Sequence, residues 1–268
     1  MSDDLEILLT NDDGIDSTGI RALYDALSER ANVTVVAPAD DRSACGRSLS
    51  HEVEVDEHEL GYAVHGTPAD CVVAGLAELG PFPDLVVAGC NKGANLGEYV
   101  LGRSGTISAA VEAAFFDVPA IATSMYVPVD GTSLADTDLT AADYAEATRV
   151  TRYLADHALE TGVFDQAAYL NVNVPVADGE PAPIEITRPS KRYEMDAERD
   201  GTHVTLKDRV WEDMNPESLP DPEGTDRRAV VEGRISVSPL TAPHSTNAHE
   251  ALDALAETYL ETVRSSDR

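Results

Sequence analysis

Five short apolar runs, separated by stretches with helical periodicity, restrict the class to which the first 175 residues can belong. The runs are Glu6–Thr10, Val33–Ala37, Leu85–Ala88, Ala120–Ser124 and Tyr169–Val174. Between them, Ser17–Ser28, Pro68–Leu79, Thr106–Phe116 and Ala141–Ala158 read as helices. Ile20, Leu23, Tyr24 and Leu27 recur at helical spacing in the first of these, and Pro68 suits a first helical turn. Strand and helix in alternation predict an α/β fold, a Rossmann-like and mainly parallel sheet with helices on both faces. Residues 1–180 are assigned to this core. His51–Glu57 and Tyr62–Val64 interrupt the pattern and predict an antiparallel excursion at the sheet's edge. From about Pro181 the chain turns polar and proline-rich. Residues 181–268 predict an extended C-terminal arm, with a returning strand at Arg234–Ser238 and a terminal helix at Ala248–Val263. A polar arm of this length buries little of its own surface, so it is expected to pack on another subunit.

The first run ends abruptly in Asn11-Asp12-Asp13-Gly14. In an open α/β sheet the carboxyl end of a strand is where ligands bind. Two carboxylates held ~4 Å apart at an effective dielectric of ~20 repel by about 4 kcal/mol. A hard divalent cation with oxygen ligands relieves that repulsion, so Asp12 and Asp13 read as the core of a metal site. An Asp-Gly turn accounts for Asp13-Gly14 but not for Asn11 and Asp12 beside them. Three further segments leave the same edge. Asp40–Ser48 follows the second strand; taken by itself, it reads as a solvated loop with a capping serine. Gly89–Gly97 is dense in Gly and Asn; Asn91 offers a neutral oxygen, and Asn95 a contact to phosphate or water. Ser104-Gly105-Thr106 opens a helix, where free N–H groups make an anion site as well as an ordinary cap.

Other chemistries lack their patterns. GxxxxGK[ST], a GxGxxG after the first strand, HExxH and GxSxG are all absent. The seven histidines show no metal-ligand spacing, so an oxygen-rich site favours Mg²⁺ or Mn²⁺ over Zn²⁺. Net charge is −30, with 49 acidic and 19 basic residues, of which only Lys92, Lys191 and Lys207 are lysine. That balance excludes a nucleic-acid polymer as partner, since phosphate backbones need a basic face. It also predicts a salt-adapted, halophilic protein. The chain is expected to melt at a lower temperature in dilute buffer than in molar KCl, which screens its self-repulsion, and a thermal scan in both checks this. No apolar run is long enough for a membrane span. Met1–Asp4 is acidic and carries no leader pattern, and Cys45, Cys71 and Cys90 are widely spaced. Reduced thiols and a cytoplasmic location are expected.

The stretch Asn11-Asp12-Asp13-Gly14-Ile15-Asp16-Ser17-Thr18-Gly19-Ile20 resembles the signature of the SurE survival-protein family. Arg42-Ser43-Ala44, Gly66–Val72, and Gly89–Gly97 with Ser104-Gly105-Thr106 agree in the same order, as do Tyr169–Pro175 and Gly233–Pro239. The resemblance covers nearly the whole chain. It implies a metal-dependent phosphatase that hydrolyses nucleoside monophosphates to nucleoside and phosphate. This would be a 5'-nucleotidase, with 3'-nucleotidase or exopolyphosphatase activity as extensions. It implies Asp12, Asp13, Ser43 and Asn91 as ligands of the divalent cation, Mg²⁺ or Mn²⁺. It also implies a homodimer or homotetramer through the C-terminal arm. On this reading Asp12, Asp13 and Asn95 are catalytic, and Asn95, Ser104, Gly105 and Thr106 hold the substrate phosphate. Arg47, Cys90, Lys92, Glu98 and Arg103 depart from the usual family residues without removing a ligand, and bear on substrate preference. A receiver-like or nucleotide-sensing module that binds without hydrolysis is the alternative, since such modules also carry paired acids after a first strand.

Overall fold

The computed structural model describes residues 5–128, 134, 137–176, 179–212 and 214–242. Its frame is β1 (Leu5–Thr10), α1 (Thr18–Leu27), β2 (Ala31–Pro38), β3 (Val55–His58), β4 (Gly61–Val64), α2 (Pro68–Ala77), β5 (Leu85–Lys92), α3 (Gly105–Phe115), β6 (Ala120–Tyr126), α4 (Ala145–His157) and β7 (Tyr169–Pro175). After these come β8 (Ile184–Ile186), β9 (Met195–Asp200), β10 (His203–Asp208), α5 (Asp226–Val231) and β11 (Ile235–Leu240). Nine strands form one sheet in the order β3-β4-β2-β1-β5-β6-β7-β11-β8. The pairings from β4 through β7 are all parallel, while β3 against β4 and β11 against β7 are antiparallel. This is the expected α/β architecture, including the antiparallel excursion at the edge.

Alternate residues of each central strand feed opposite cores. Ile7, Leu9, Val35, Val87 and Ile121 join Ile20, Leu23 and Val150 of α1 and α4 on one face. Leu8, Val36, Val86 and Ala122 join Val72, Leu76, Ile107 and Ala110 of α2 and α3 on the other. A strand covered on both faces needs an unbroken apolar run, which is why these segments lack a polar alternation. The helices start where local chemistry closes them. Thr67 Oγ1 accepts from Asp70 N while Asp70 Oδ2 accepts from Thr67 N, so both orphan donors at the start of α2 are met. Ser104 Oγ likewise accepts from Ile107 N at the start of α3.

Boundaries differ from the sequence reading where tertiary context intervenes. The third strand was expected to stop at Ala88, but β5 continues to Lys92 because its register with β6 shifts between Ala88 and Asn91. The fourth helix begins at Ala145 rather than Ala141, after a turn in which Tyr144 N donates to Ala141 O. In the C-terminal segment β8 and β11 join the main sheet, and β9 and β10 form a separate two-stranded ribbon. The terminal helix expected at Ala248–Val263 lies outside the described residues.

The strand order places β2 on one side of β1 and β5 on the other. The connections therefore diverge between β1 and β5, and a crevice opens at their carboxyl ends. Asp12 and Asp13 follow β1, and Asn91 lies near the end of β5, so the topology brings all three to this switch point.

Candidate active site

The turn after β1 is built from its own asparagine. Asn11 Nδ2 donates to Gly14 O and to Ser17 Oγ, both at 2.8 Å, tying the strand end to the approach of α1. Ile15 N donates to Pro38 O at 2.8 Å and Arg42 N to Asp12 O at 2.7 Å, so the loops after β1 and β2 form one unit. Ser43 is the next residue after that contact, and its N–H donates to Asp41 Oδ1.

Asp12 is buried against the start of α3. Its Oδ1 accepts from Thr106 Oγ1 at 2.6 Å. A Cβ at Gly105 would lie 2.7 Å from Asp12 Cβ and 2.8 Å from its Oδ2, so only glycine permits this approach. Gly105→Ala is expected to displace the carboxylate and lower turnover about 100-fold, the scale of a misplacement near 1 Å. Steady-state phosphate release, with the fold checked by circular dichroism, reads this directly. Asp13 is less enclosed. Its Oδ2 accepts from Lys92 N at 2.9 Å, and it borders a cavity of about 260 Å³ shared with Ser17, Thr18, Lys92 and Tyr144.

Burial pushes the Asp12 carboxyl above its ordinary range despite the Thr106 hydroxyl. Burial, and then the Asp12 charge, push Asp13 up to about 7, against the Lys92 N–H and ammonium. Two adjacent carboxylates disfavoured as anions by their surroundings fit a site that receives positive charge. Among the described residues no group of three or more His, Cys, Asp or Glu side chains could hold a metal ion. A cation at Asp12 and Asp13 would need neutral oxygens besides, the donor type that Ser43 and Asn91 carry on the neighbouring loops. Asn91 Nδ2 donates to Gly93 O at 2.5 Å, which leaves the carboxamide oxygen as its acceptor.

The family profile described as Survival protein SurE matches residues 7–196. The chain belongs to the SurE family. A relative from Haloarcula marismortui named 5'-nucleotidase SurE is 66% identical over 258 residues, covering 96% of each chain. One of the same name from Methanoculleus marisnigri is 39% identical over 258 residues, covering 93% of this chain and 95% of its own. The crystal structure of the SurE protein from Aquifex aeolicus superposes with a TM-score of 0.74 at 32% identity, covering 96% of this chain and 99% of that one.

In this SurE chain the residues singled out from the sequence do not all share one role. Asp12, Gly105 and Thr106 are in contact, and Asp13 meets the end of β5. The hydroxyls of Ser104 and Thr106, read as phosphate contacts, are engaged within the protein, one capping α3 and the other holding Asp12. Asn95 is buried, and its side chain donates to Ser124 Oγ at 2.8 Å. Its backbone is gripped by Asn173 Oδ1, which accepts from Asn95 N, and by the Asn171 and Asn173 amides, which donate to Asn95 O.

The sequence reading placed these two β7 asparagines in a family-like segment without giving them a role, and it missed Asp226. Asp226 Oδ2 accepts from Gly97 N, while Oδ1 accepts from Ser190 N and Arg227 N. It thus clamps the Gly-Asn loop to the C-terminal segment. Burial raises its carboxyl to about 6 although these donors pull it down. A carboxyl whose folded pKa is raised contributes stability below the unfolded value, near 4, and loses it as pH rises through about 6. Over that window the group costs the fold roughly 2–3 kcal/mol. Asp226→Asn is expected to flatten the pH dependence by about this much, measured as urea unfolding of both proteins at pH 4.5 and 7.

Proposed function

We propose that this chain is a phosphoric monoester hydrolase, a 5'-nucleotidase that depends on a divalent cation and releases phosphate from nucleoside monophosphates. The observation that carries the reading is Asp12, buried at the switch point against the N-terminus of α3, with the half-buried Asp13 beside it. The name 5'-nucleotidase shared by relatives at 66% and 39% identity supports the substrate class. Asp12, Asp13, Ser43 and Asn91 would hold the cation, which when bound supplies charge neutralisation at the phosphoryl group and a more acidic water.

The remaining work falls to side chains and backbone. Thr106 holds Asp12 in place, and the Lys92 N–H orients Asp13. Asp13, the more open of the pair, is the better placed to take a proton from the attacking water on Oδ1. The first turn of α3 points the positive end of its dipole toward the site, although its Thr106 and Ile107 N–H groups are taken by Asp12 and by Ser104 Oγ. Asn95, fixed by Ser124, Asn171 and Asn173, keeps the Gly-Asn loop in one shape over the crevice. Such preorganisation matters because uncatalysed monoester hydrolysis is among the slowest reactions known.

The C-terminal segment supports a homodimer or homotetramer. Leu206 on β10 is 71% exposed and Ile186 on β8 is 68% exposed, apolar area suited to a second subunit. Light scattering after size exclusion measures this. Among the described residues no helix is long and apolar enough to cross a membrane. The deciding test is phosphate release from a panel of 5' and 3' monophosphates and short polyphosphate with Mg²⁺, Mn²⁺ or EDTA. Release from 5' monophosphates with either metal, abolished by EDTA, is the expected result. Binding without release under every condition would leave a sensing module instead.

A further inference from the structure

We propose that the cavity on the β6 side of the Asn91–Gly93 loop is the nucleobase subsite, with Trp211 as its stacking face. The inference rests on the nucleotidase reading and specifies where the base of the substrate sits. The cavity measures about 520 Å³, and its walls include Gly93, Tyr126, Val127, Trp211, Glu212 and Asn215. That volume lies within the range of small-molecule sites, which join an apolar, aromatic lining to a few polar groups.

Position is the first argument. Gly93 follows β5 and Tyr126 ends β6, so the cavity opens on the same carboxyl edge as the acidic pair, one strand along from the switch point. Gly93 N donates to Met125 O at 3.1 Å, joining the two strand ends. Gly93 O accepts from the Asn91 amide, so the cavity wall and the carboxamide assigned to the cation are one hydrogen bond apart. A phosphate held at Asp12, Asp13 and Asn91 leaves the rest of a nucleotide to extend along this edge.

Chemistry is the second argument. Every base has a π face, and Trp offers the largest ring on which to stack it. Glu212 offers acceptors to a base edge. Asn215 Oδ1 already accepts from Glu217 N, which leaves the Asn215 amide hydrogens as donors. The other large cavities suit a base less well. One of about 330 Å³, bounded by Pro119 and Ala168 just before β6 and β7, lies at the opposite end of the strands. Another, of about 460 Å³, carries Lys191 and Arg192, which are ion-paired with Glu98 and Glu194.

Trp211 is the single tryptophan of the chain, so its fluorescence reports on this cavity alone. Adenosine is expected to quench it in a saturable way, and ribose is not. The kinetic arm compares AMP with ribose 5-phosphate, which has no base. Trp211→Leu is expected to lower the AMP-to-ribose-5-phosphate ratio of kcat/KM about ten-fold, mainly through KM for AMP, as loss of one base–aromatic stack implies. Trp211→Phe, which keeps a ring, recovers most of that ratio. An unchanged ratio in the Leu variant, or fluorescence indifferent to adenosine, overturns the subsite. Should the Leu variant fail to fold, the wild-type quenching decides. If the wild-type enzyme hydrolyses neither ester, the nucleotidase reading has failed, and the quenching by adenosine alone accepts or rejects the cavity as a base site.

Discussion

Asp12→Asn is expected to lower kcat for phosphate release from AMP by about 1,000-fold at saturating Mg²⁺ or Mn²⁺. The side chain keeps its shape and an Oδ1 that accepts from Thr106 Oγ1, so the loss reports charge rather than packing. The opposite sign is expected for stability. Burial holds the Asp12 carboxyl above its ordinary range, so ionising it in the folded chain costs free energy at neutral pH. With chelator present at pH 8, the Asn variant should therefore melt no lower than the wild type. A variant that is inactive and also much less stable would point to a structural role for Asp12. Near-wild-type turnover would remove it from the site altogether. Function here rests on a local arrangement that the fold by itself disfavours.

Arg227→Met is expected to destabilise the protein by about 3–5 kcal/mol. Arg227 and Asp221 form an ion pair whose side chains are 0% and 1% exposed. Asp221 also accepts from Ser190 Oγ, and Arg227 donates to Val210 O at 2.6 Å. Removing the guanidinium leaves a buried carboxylate whose countercharge has gone, which is the costly case. Replacing both partners, as in Asp221→Leu with Arg227→Met, should recover much of the loss, because the isolated charge disappears with its partner. At roughly 2–4 °C per kcal/mol for chains of this size, the single variant should melt on the order of 10 °C below the wild type. A shift under about 2 °C would show that water or a neighbouring group replaces the arginine. Since Asp226 precedes Arg227 and clamps Gly97, the variant is also expected to lose activity before it unfolds.

Legibility from the sequence followed physical kind. The parallel core could be read because strands covered on both faces are mostly or wholly apolar, as in Val33–Ala37, interrupted only by Thr34, and Leu85–Ala88. Asp12 and Asp13 could be read because charge at the tip of such a strand has no packing purpose. Ser43 could not: by itself it is a loop serine, and only the family resemblance gave it a role. Asn171 and Asn173 were counted as part of a strand, yet they hold Asn95 O, a long-range contact that no local pattern encodes. Asp226 sits in an ordinary polar stretch, and its meaning depends on Gly97, 129 positions earlier. The β9–β10 ribbon escaped because β9 is mostly charged and β10 offers only Val204 and Leu206 as apolar residues, too short a pattern to stand out in a charged stretch. Its cohesion comes from cross-strand pairs such as Lys207 with Glu198.

The clamp from Asp226 back to Gly97 has a consequence for biosynthesis. The loop that carries Asn91 and Asn95 takes its final shape from residues 171, 173 and 226. A nascent chain emerging from the ribosome can therefore assemble the first strands and helices long before it can turn over a nucleotide. The loop is held in its final shape only once Asp226 has been made.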